Sequence, residues 1–583
     1  MIPKSSWIKQ FIPALLTILL LPQPLRSADT VTYHDYESMT ELLQSLAKNY
    51  SGVISLKKQA ETLGKRNIWR LTLSDGKTEQ YPAILILGGV SGSDLFGSEL
   101  CLQFTQTLAA AYGKADSVTQ LLKNTTFYIF PRVTPDASEA FFQTLKYERT
   151  LNNRAVDLDK DGSQDEDGYD DLNNDGLITM MRVTDPAGDW LTDSKIPQLL
   201  RQADRARGEK GVYRLYTEGL DNDGDGQWNE DEPGGVDFNR NFSYRYKYFS
   251  RGSGNYPMSE IESSTIAEFL FSHQNIACVF CFSPGDNLNH PWQAEKDGQT
   301  SGGNAASPPE KPLTGVRPGD EPYFRQISEQ FKSITGFADA PESKKGEGSF
   351  NEWAYYHYGR WSFSSPSWWP PLPDQPADSV QADSSAQRSK SQKEESGEKD
   401  KNDMQMRLWK WIEKTGQPDA FVPWKEVSHP DFPDEKVEVG GFAPYTGINP
   451  PIDSLALRAK KFNAFLLNLS SRLPRIAIDK VNVTALHDNL FRVQVFVTNS
   501  GFFPTNTDLG IYSKWNPKVK LSLIPDKGQK LIDNKEFHLI DTIDGSGGTQ
   551  DYSWVILGKK GGRLTVRVDC PMAGHDEKII DLK

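Results

Sequence analysis

Between Tyr81 and Gly113 the chain reads YPAILILGGVSGSDLFGSELCLQFTQTLAAAYG. An unbroken apolar run bounded by small residues reads as a strand buried on both faces. The second apolar run, spaced for a helix, follows directly. NIWRLTLS and TTFYIFPRV are further strands, and DYESMTELLQSLAKNYSG has helical spacing. Downstream, the helix SEIESSTIAEFLFSHQ precedes the strand IACVFCFS. Such alternation predicts a mostly parallel sheet covered by helices. Ligands and catalytic groups in open α/β sheets collect at the carboxyl ends of strands. The loop GGVSGSDLFGSE, 88–99, lies at such an end, yet it offers only Ser91, Ser93, Asp94 and then Glu99.

A chain of 583 residues is too long for one core, so two or three domains are expected. A net charge of −13 argues against nucleic acid, or an anionic membrane, as a general partner. Lys4 and Lys9, the apolar stretch Phe11 to Leu21 and the small-residue site near Ser27 fit a secretory signal peptide over 1–27. The apolar stretch is short of the ~20 residues a membrane span needs, so no span is expected after cleavage. The expected localisation is export, periplasmic or extracellular. Cys278 and Cys281 lie three apart on a strand and point to opposite faces, which favours buried thiols over a zinc knuckle or redox pair.

Residues 152–235 interrupt the α/β pattern with acidic loops. DNDGDGQWNEDE, 221–232, has the spacing of an EF-hand calcium loop, with Asp221, Asp223, Asp225, Gln227, Asn229 and Glu232 at its ligand positions. The loop from 157 repeats the start with Asp157, Asp159, Asp161 and Asp165, and a third brings Asp171, Asn173 and Asp175. Calcium is the expected cofactor. Residues 374–403 lack aromatic anchors and are expected to be disordered. MQMRLWKWIEKTG restarts a helix, and DSLALRAKKFNAFLLNLSSRL ends the α/β part near Leu473. Short alternating strands in 474–583 predict an all-β sandwich.

GGVDFNRNFSYRYKYFSRGSGNYPMSEIES, 234–263, combines G-V-D-F-N-R-N-F with Y-P-x-S-E-x-E. It resembles the M14 zinc carboxypeptidase family, and other segments fall in that family's order. YHDYESMTELLQSLAKNY resembles its opening helix, GGVSGSDLFGSE its G-x-x-H-G-x-E zinc loop, FPRVTPDA its P-x-x-N-P-D-G turn and FNEWAYYHYG its late D-W-A-Y segment. The acidic insert resembles those of bacterial members. The resemblance spans 31–370 and on towards 473. It implies a carboxypeptidase-like mixed sheet flanked by helices over 28–473. It also implies one Zn²⁺ held by two His and a Glu, a Glu acting as general base, and an Asn-Arg pair gripping the substrate's terminal carboxylate.

This chain departs from that pattern at the metal. The first His falls on Ser91 and the Glu on Asp94, while the third ligand falls on Phe282 in FSPGDNLNHP. The general-base position falls on Pro366 or Ser367, and no carboxylate occurs between Trp353 and Pro373. His290 is a poor replacement ligand. Asn239-Arg240 is retained, and a further substrate arginine falls on Arg149 or Arg154. The expected protein is therefore a carboxypeptidase-like pseudopeptidase that binds peptide C-termini or a protein partner with a free C-terminus, with zinc not bound. Two rival readings are a zinc metallocarboxypeptidase with non-standard ligands and a structural cell-envelope protein.

Overall fold

The computed structural model describes residues 32–157, 167–222, 234–294, 313–343, 346–372, 396–533 and 535–583, together with 162, 164, 224, 226 and 228. The expected signal peptide and residues 374–395 of the expected disordered insert lie outside these.

In chain order the first elements are α1 (Tyr36–Asn49), β1 (Ile54–Glu61), β2 (Asn67–Leu73), β3 (Ala83–Leu87), α2 (Leu95–Ala111), α3 (Asp116–Leu122), β4 (Thr126–Phe130) and α4 (Pro135–Ser138). Then follow β5 (Met180–Thr184), β6 (Trp190–Thr192), β7 (Leu200–Gln202), β8 (Tyr213–Thr217), α5 (Ile261–Ser272), β9 (Ile276–Phe282), α6 (Glu321–Thr335), α7 (Phe350–Tyr356) and β10 (Trp361–Ser365). The rest are α8 (Ser396–Thr415), β11 (Phe421–Val427), β12 (Val437–Phe442), α9 (Leu455–Ser471), β13 (Ile476–His487), β14 (Leu490–Asn499), α10 (Asp508–Ser513), β15 (Val519–Pro525), β16 (Lys530–Leu531), β17 (Phe537–Ile540), β18 (Gly548–Leu557), β19 (Arg563–Cys570) and β20 (Gly574–Asp581).

The first sheet has the order β1-β2-β4-β3-β9-β10. Its β4-β3-β9-β10 part is parallel, and β1 and β2 join antiparallel, so the sheet is mixed. AILIL and IACVFCF are buried along their whole lengths because helices cover both faces. Cys278 and Cys281 pack into the cores on opposite faces of this sheet, and the four cysteines are buried free thiols.

The segment expected to be acidic loops also contains strands. A second sheet, β11-β12-β5-β8-β6-β7, joins residues 180–217 to 421–442. Met181 pairs with Val439 and Val183 with Val437, and these four side chains form a small core. Between them Arg182, on the other face of the strand, pairs with Glu438 at 2.8 Å and lies over the Tyr213 and Trp424 rings. Helix α8 begins at Ser396, upstream of Met404 where the sequence pattern started it, so residues 396–403 of the insert expected to be disordered are helical instead.

The C-terminal part packs two antiparallel sheets, β13-β14-β18-β16 and β17-β15-β19-β20. Val493, Val495 and Val497 of β14 face inward with Leu521, Leu523, Trp554, Val566 and Val568, as strict alternation requires. This sandwich is fastened to the α/β part. Trp361 stacks on Phe503 at 4.7 Å, and the buried Asp320 accepts the Asp508 and Leu509 amides that open α10, at 2.8 and 3.1 Å. Among the described residues no helix is long and apolar enough to cross a membrane.

Candidate functional site

The parallel strands β3, β9 and β10 end at one edge of the first sheet. Ser365 lies opposite Phe282, and Leu87 opposite Cys281. The loop after β3, Phe282 and the Pro366-Ser367 pair are therefore brought together there. Asp94 caps α2: its carboxylate accepts the Gly97 amide at 2.8 Å. The same oxygen, Oδ1, accepts the Ser367 hydroxyl at 2.7 Å. A position the resemblance aligns with a zinc ligand thus bonds directly to Ser367, one of the two positions it offers for the general base, across 273 residues of chain. Ser91 and Ser93 share a hydrogen bond of 3.1 Å between their hydroxyls.

Phe282 is buried and packs edge-on against Phe280 and Phe462 of α9, both at 5.0 Å. A Cβ on Gly97 would lie 2.8 Å from both the Phe282 Cβ and the Asp94 carboxylate, so α2 closes tightly on this ring. Arg458 of α9 donates to the Ser367 carbonyl at 3.0 Å and lies 3.9 Å from the Phe337 ring and 4.2 Å from that of Trp369. Burial pushes the Asp94 carboxyl up to about 6, against the two hydrogen bonds that favour its charge. One buried carboxylate, a paired hydroxyl and a phenyl ring do not fit Zn²⁺, which takes nitrogen, thiolate or carboxylate ligands in a tetrahedron. Among the described residues no three His, Cys, Asp or Glu side chains converge to hold a metal ion.

Beside this edge the 3-10 turn Phe238–Arg240 opens a cleft of about 1070 Å³. The Asn239 side chain spans two elements, donating to Ser283 Oγ at 3.3 Å and accepting the Phe350 amide at 3.0 Å. Arg240 donates to Ser250 Oγ at 2.7 Å, approaches Glu347 to 3.8 Å and lines the cleft. Gly348, at φ +78°, lets the backbone pass close to Arg240: a Cβ there would lie 2.3 Å from the Arg240 carbonyl oxygen. Arg149 donates to the carbonyls of Leu151 at 2.9 Å and Asn152 at 2.6 Å, and lines a smaller cavity of about 200 Å³ that Arg240 also reaches. Arg154 pairs with Glu260 at 2.7 Å and lines neither cavity. His290 lines the cleft and bonds the Ala340 carbonyl at 3.0 Å.

Sequence reasoning missed the cleft's acidic lining of Asp237, Asp286, Glu342, Glu347 and Glu352. Asp286 Oδ1 accepts the Leu288 amide at 2.8 Å and the Asn289 amide at 2.9 Å, and among the described residues the buried Asn351 Oδ1 has no hydrogen-bond partner. Burial holds the Asp286 carboxyl above the usual carboxylate range and that of Asp237 at about 6. Their positions depend on β9 and α7 converging, which no local pattern announces.

Of the acidic loops, Asp159, Asp161, Asp165, Asp223, Asp225, Gln227, Asn229 and Glu232 lie outside the described residues. In the third loop Asp171 accepts the amides of Asp175 at 3.1 Å and Gly176 at 2.7 Å, and Asn173 accepts Asp175 at 2.9 Å. Asp157 and Asp221 fold in the same way over Gly162 at 3.1 Å and Gly224 at 2.8 Å. Asn222 donates to Asp167 at 3.1 Å and Asp170 at 2.8 Å, which draws the three loops together.

The zinc-loop positions, the mixed sheet and the acidic insert frame the comparison with known proteins. Residues 39–180 match the Zinc carboxypeptidase family, Peptidase M14. That segment holds Ser91 and Asp94, and the fold around it is the carboxypeptidase-like α/β arrangement of a mixed sheet between helices. Residues 475–581 match a Domain of unknown function (DUF8731). Human Carboxypeptidase D is 33% identical over 135 residues, covering 22% of this chain and 10% of that protein. Mouse Carboxypeptidase M is 30% identical over 120 residues, covering 20% of this chain and 27% of that protein. What is shared with these relatives is therefore a segment and not their whole length. Among solved structures, thrombin activatable fibrinolysis inhibitor aligns with a TM-score of 0.36 and 14% identity over 57% of this chain and 68% of that one. The metallo-carboxypeptidase from Burkholderia cenocepacia aligns with a TM-score of 0.30 and 11% identity, over 56% and 58%.

Proposed function

We propose that this is an exported, carboxypeptidase-like pseudopeptidase that binds the free C-termini of peptides or proteins and does not hydrolyse them. The observation that carries this reading is a contrast between neighbours. Arg240 still faces an open cleft, while Ser91, Asp94, Phe282 and Ser367 are tied into buried contacts with one another and with α9. A guanidinium suits a terminal carboxylate because its planar fork bonds two oxygens at once. Asn239 holds the turn that presents it. The five carboxylates of the lining favour a cationic side chain on the same terminal residue, Lys or Arg.

The acidic insert belongs to the same reading as a calcium-stabilised scaffold beside the cleft. Export through the 1–27 signal would place it where calcium is plentiful.

The test is calorimetric titration with paired peptides. A peptide ending in a free Lys carboxylate should bind at least about tenfold more tightly than its amide, because a charge-assisted pair is worth roughly 1.5–3 kcal/mol. Arg240→Ala should remove that preference. Equal affinity for acid and amide would sink the reading.

A further inference from the structure

The segment after Arg240 does something the cleft does not require. From Asp237 to Glu260 the chain has Arg240, Arg245, Lys247 and Arg251 and no acidic residue between, although the whole chain carries −13. The segment is braced. Tyr246 Oη donates to the carbonyls of Ser253 at 2.8 Å and Gly254 at 2.6 Å, Asn241 donates to the Ser253 carbonyl at 2.7 Å, and Ser253 Oγ donates to the Ser250 carbonyl at 2.6 Å. Its tip carries Phe249 at φ +60° with 98% of its surface exposed. Tyr248 and Tyr256 flank it at 56% and 59%. The next most exposed of the described large apolar residues is Ile579 at 67%.

We propose that this loop docks the protein on an anionic lipid surface, with Phe249 entering the acyl boundary, Tyr248 and Tyr256 at headgroup level and Arg245 and Lys247 against the lipid charges. The exposure argues for a lipid occupant. A ring that stacks on a sugar keeps one face packed on its own protein, whereas Phe249 has neither face covered and needs a medium that surrounds it. Aromatic rings beside cations are the composition that interfacial insertion favours. Glu347 lies 3.5 Å from Lys247 and offsets part of the local charge. The other carboxylates of the cleft, Asp237, Asp286, Glu342 and Glu352, oppose this attraction and are screened in part at moderate salt, where the screening length is about 10 Å. Docking in this way would hold the Arg240 cleft against the surface, since Arg240 bonds Ser250 beside the tip.

Sedimentation of the chain from residue 28 onward, without the expected signal peptide, tests this with vesicles of phosphatidylcholine alone and of phosphatidylcholine with about one-quarter phosphatidylglycerol. The protein should pellet with the anionic vesicles, little with the neutral ones, and less as salt rises. Phe249→Ser should lower the partition coefficient roughly tenfold and Lys247→Gln about threefold, with the melting temperature unchanged for the exposed Phe249. Failure to pellet with anionic vesicles would overturn the proposal. So would equal pelleting of Phe249→Ser and the parent, or capture of a soluble polyanion or protein through Phe249 in the absence of any vesicle binding.

Discussion

Asp94 sits where burial and hydrogen bonding oppose one another. Its carboxyl is held at about 6, against 3.8 as the reference value, because desolvation outweighs the Gly97 and Ser367 bonds. The folded state therefore holds this proton more tightly than the unfolded chain. The stability it contributes is fully present below the unfolded value and is lost as pH rises through about 6. Asn keeps the accepting oxygen and carries no charge. Asp94→Asn should match the parent at the acidic end and exceed it by roughly 1–3 kcal/mol near neutrality, as urea melts at both pH values would show. A variant less stable than the parent near neutrality would contradict the account. Gly348 is the second decisive residue. Ala there must place a Cβ 2.3 Å from the Arg240 carbonyl oxygen at φ +78°, so Gly348→Ala should lower stability by about 1–3 kcal/mol and abolish the preference for free C-termini. A variant that retains both stability and preference would show that the turn tolerates movement. Ser91, Asp94 and Phe282 were legible as positions through the resemblance, and the bond from Asp94 to Ser367 was not, because nothing local links residues 273 apart.

Elements with strong local periodicity were readable and those built on distant pairing were not. The apolar runs of β3 and β9 and the alternation of β14 announce themselves, since each carries its burial pattern in consecutive residues. The second sheet does not. Strands β6 and β7 have three residues each, and β5 finds its hydrophobic partners in β12, more than 250 residues on. Only the assembled sheet makes Met181 and Val183 a core. The proposed calcium scaffold belongs to this scale. Glu232 ends the 221–232 loop as the bidentate ligand position. Calcium in large excess over its dissociation constant should raise stability by about 2–3 kcal/mol, and Glu232→Gln should remove most of that gain. Equal thermal melting of the parent with calcium and with chelator would refute it.

Across the whole molecule, the sandwich and the α/β part share buried polar contacts that hold them as one unit. Asp320 accepts two amides of α10 and the Tyr355 hydroxyl at 2.8 Å, and the buried Arg360 donates to the Ile276 carbonyl at 2.8 Å and to Asn516 across the junction. Asp320→Ala leaves those donors unpaired and should cost roughly 2–4 kcal/mol, with calorimetry showing one transition separating into two. A single unshifted transition would mean that the junction contributes little. The same integration bears on function. Helix α9 brings Phe462 onto Phe282 and Arg458 onto Ser367, so this arrangement of side chains is part of the core and not a loose remnant. The most direct measurement is mass spectrometry of a Lys-terminated peptide incubated with the unmodified protein after equilibration with Zn²⁺. The peptide is predicted to keep its full mass, with and without a chelator. Loss of the C-terminal residue that depends on zinc would contradict the account.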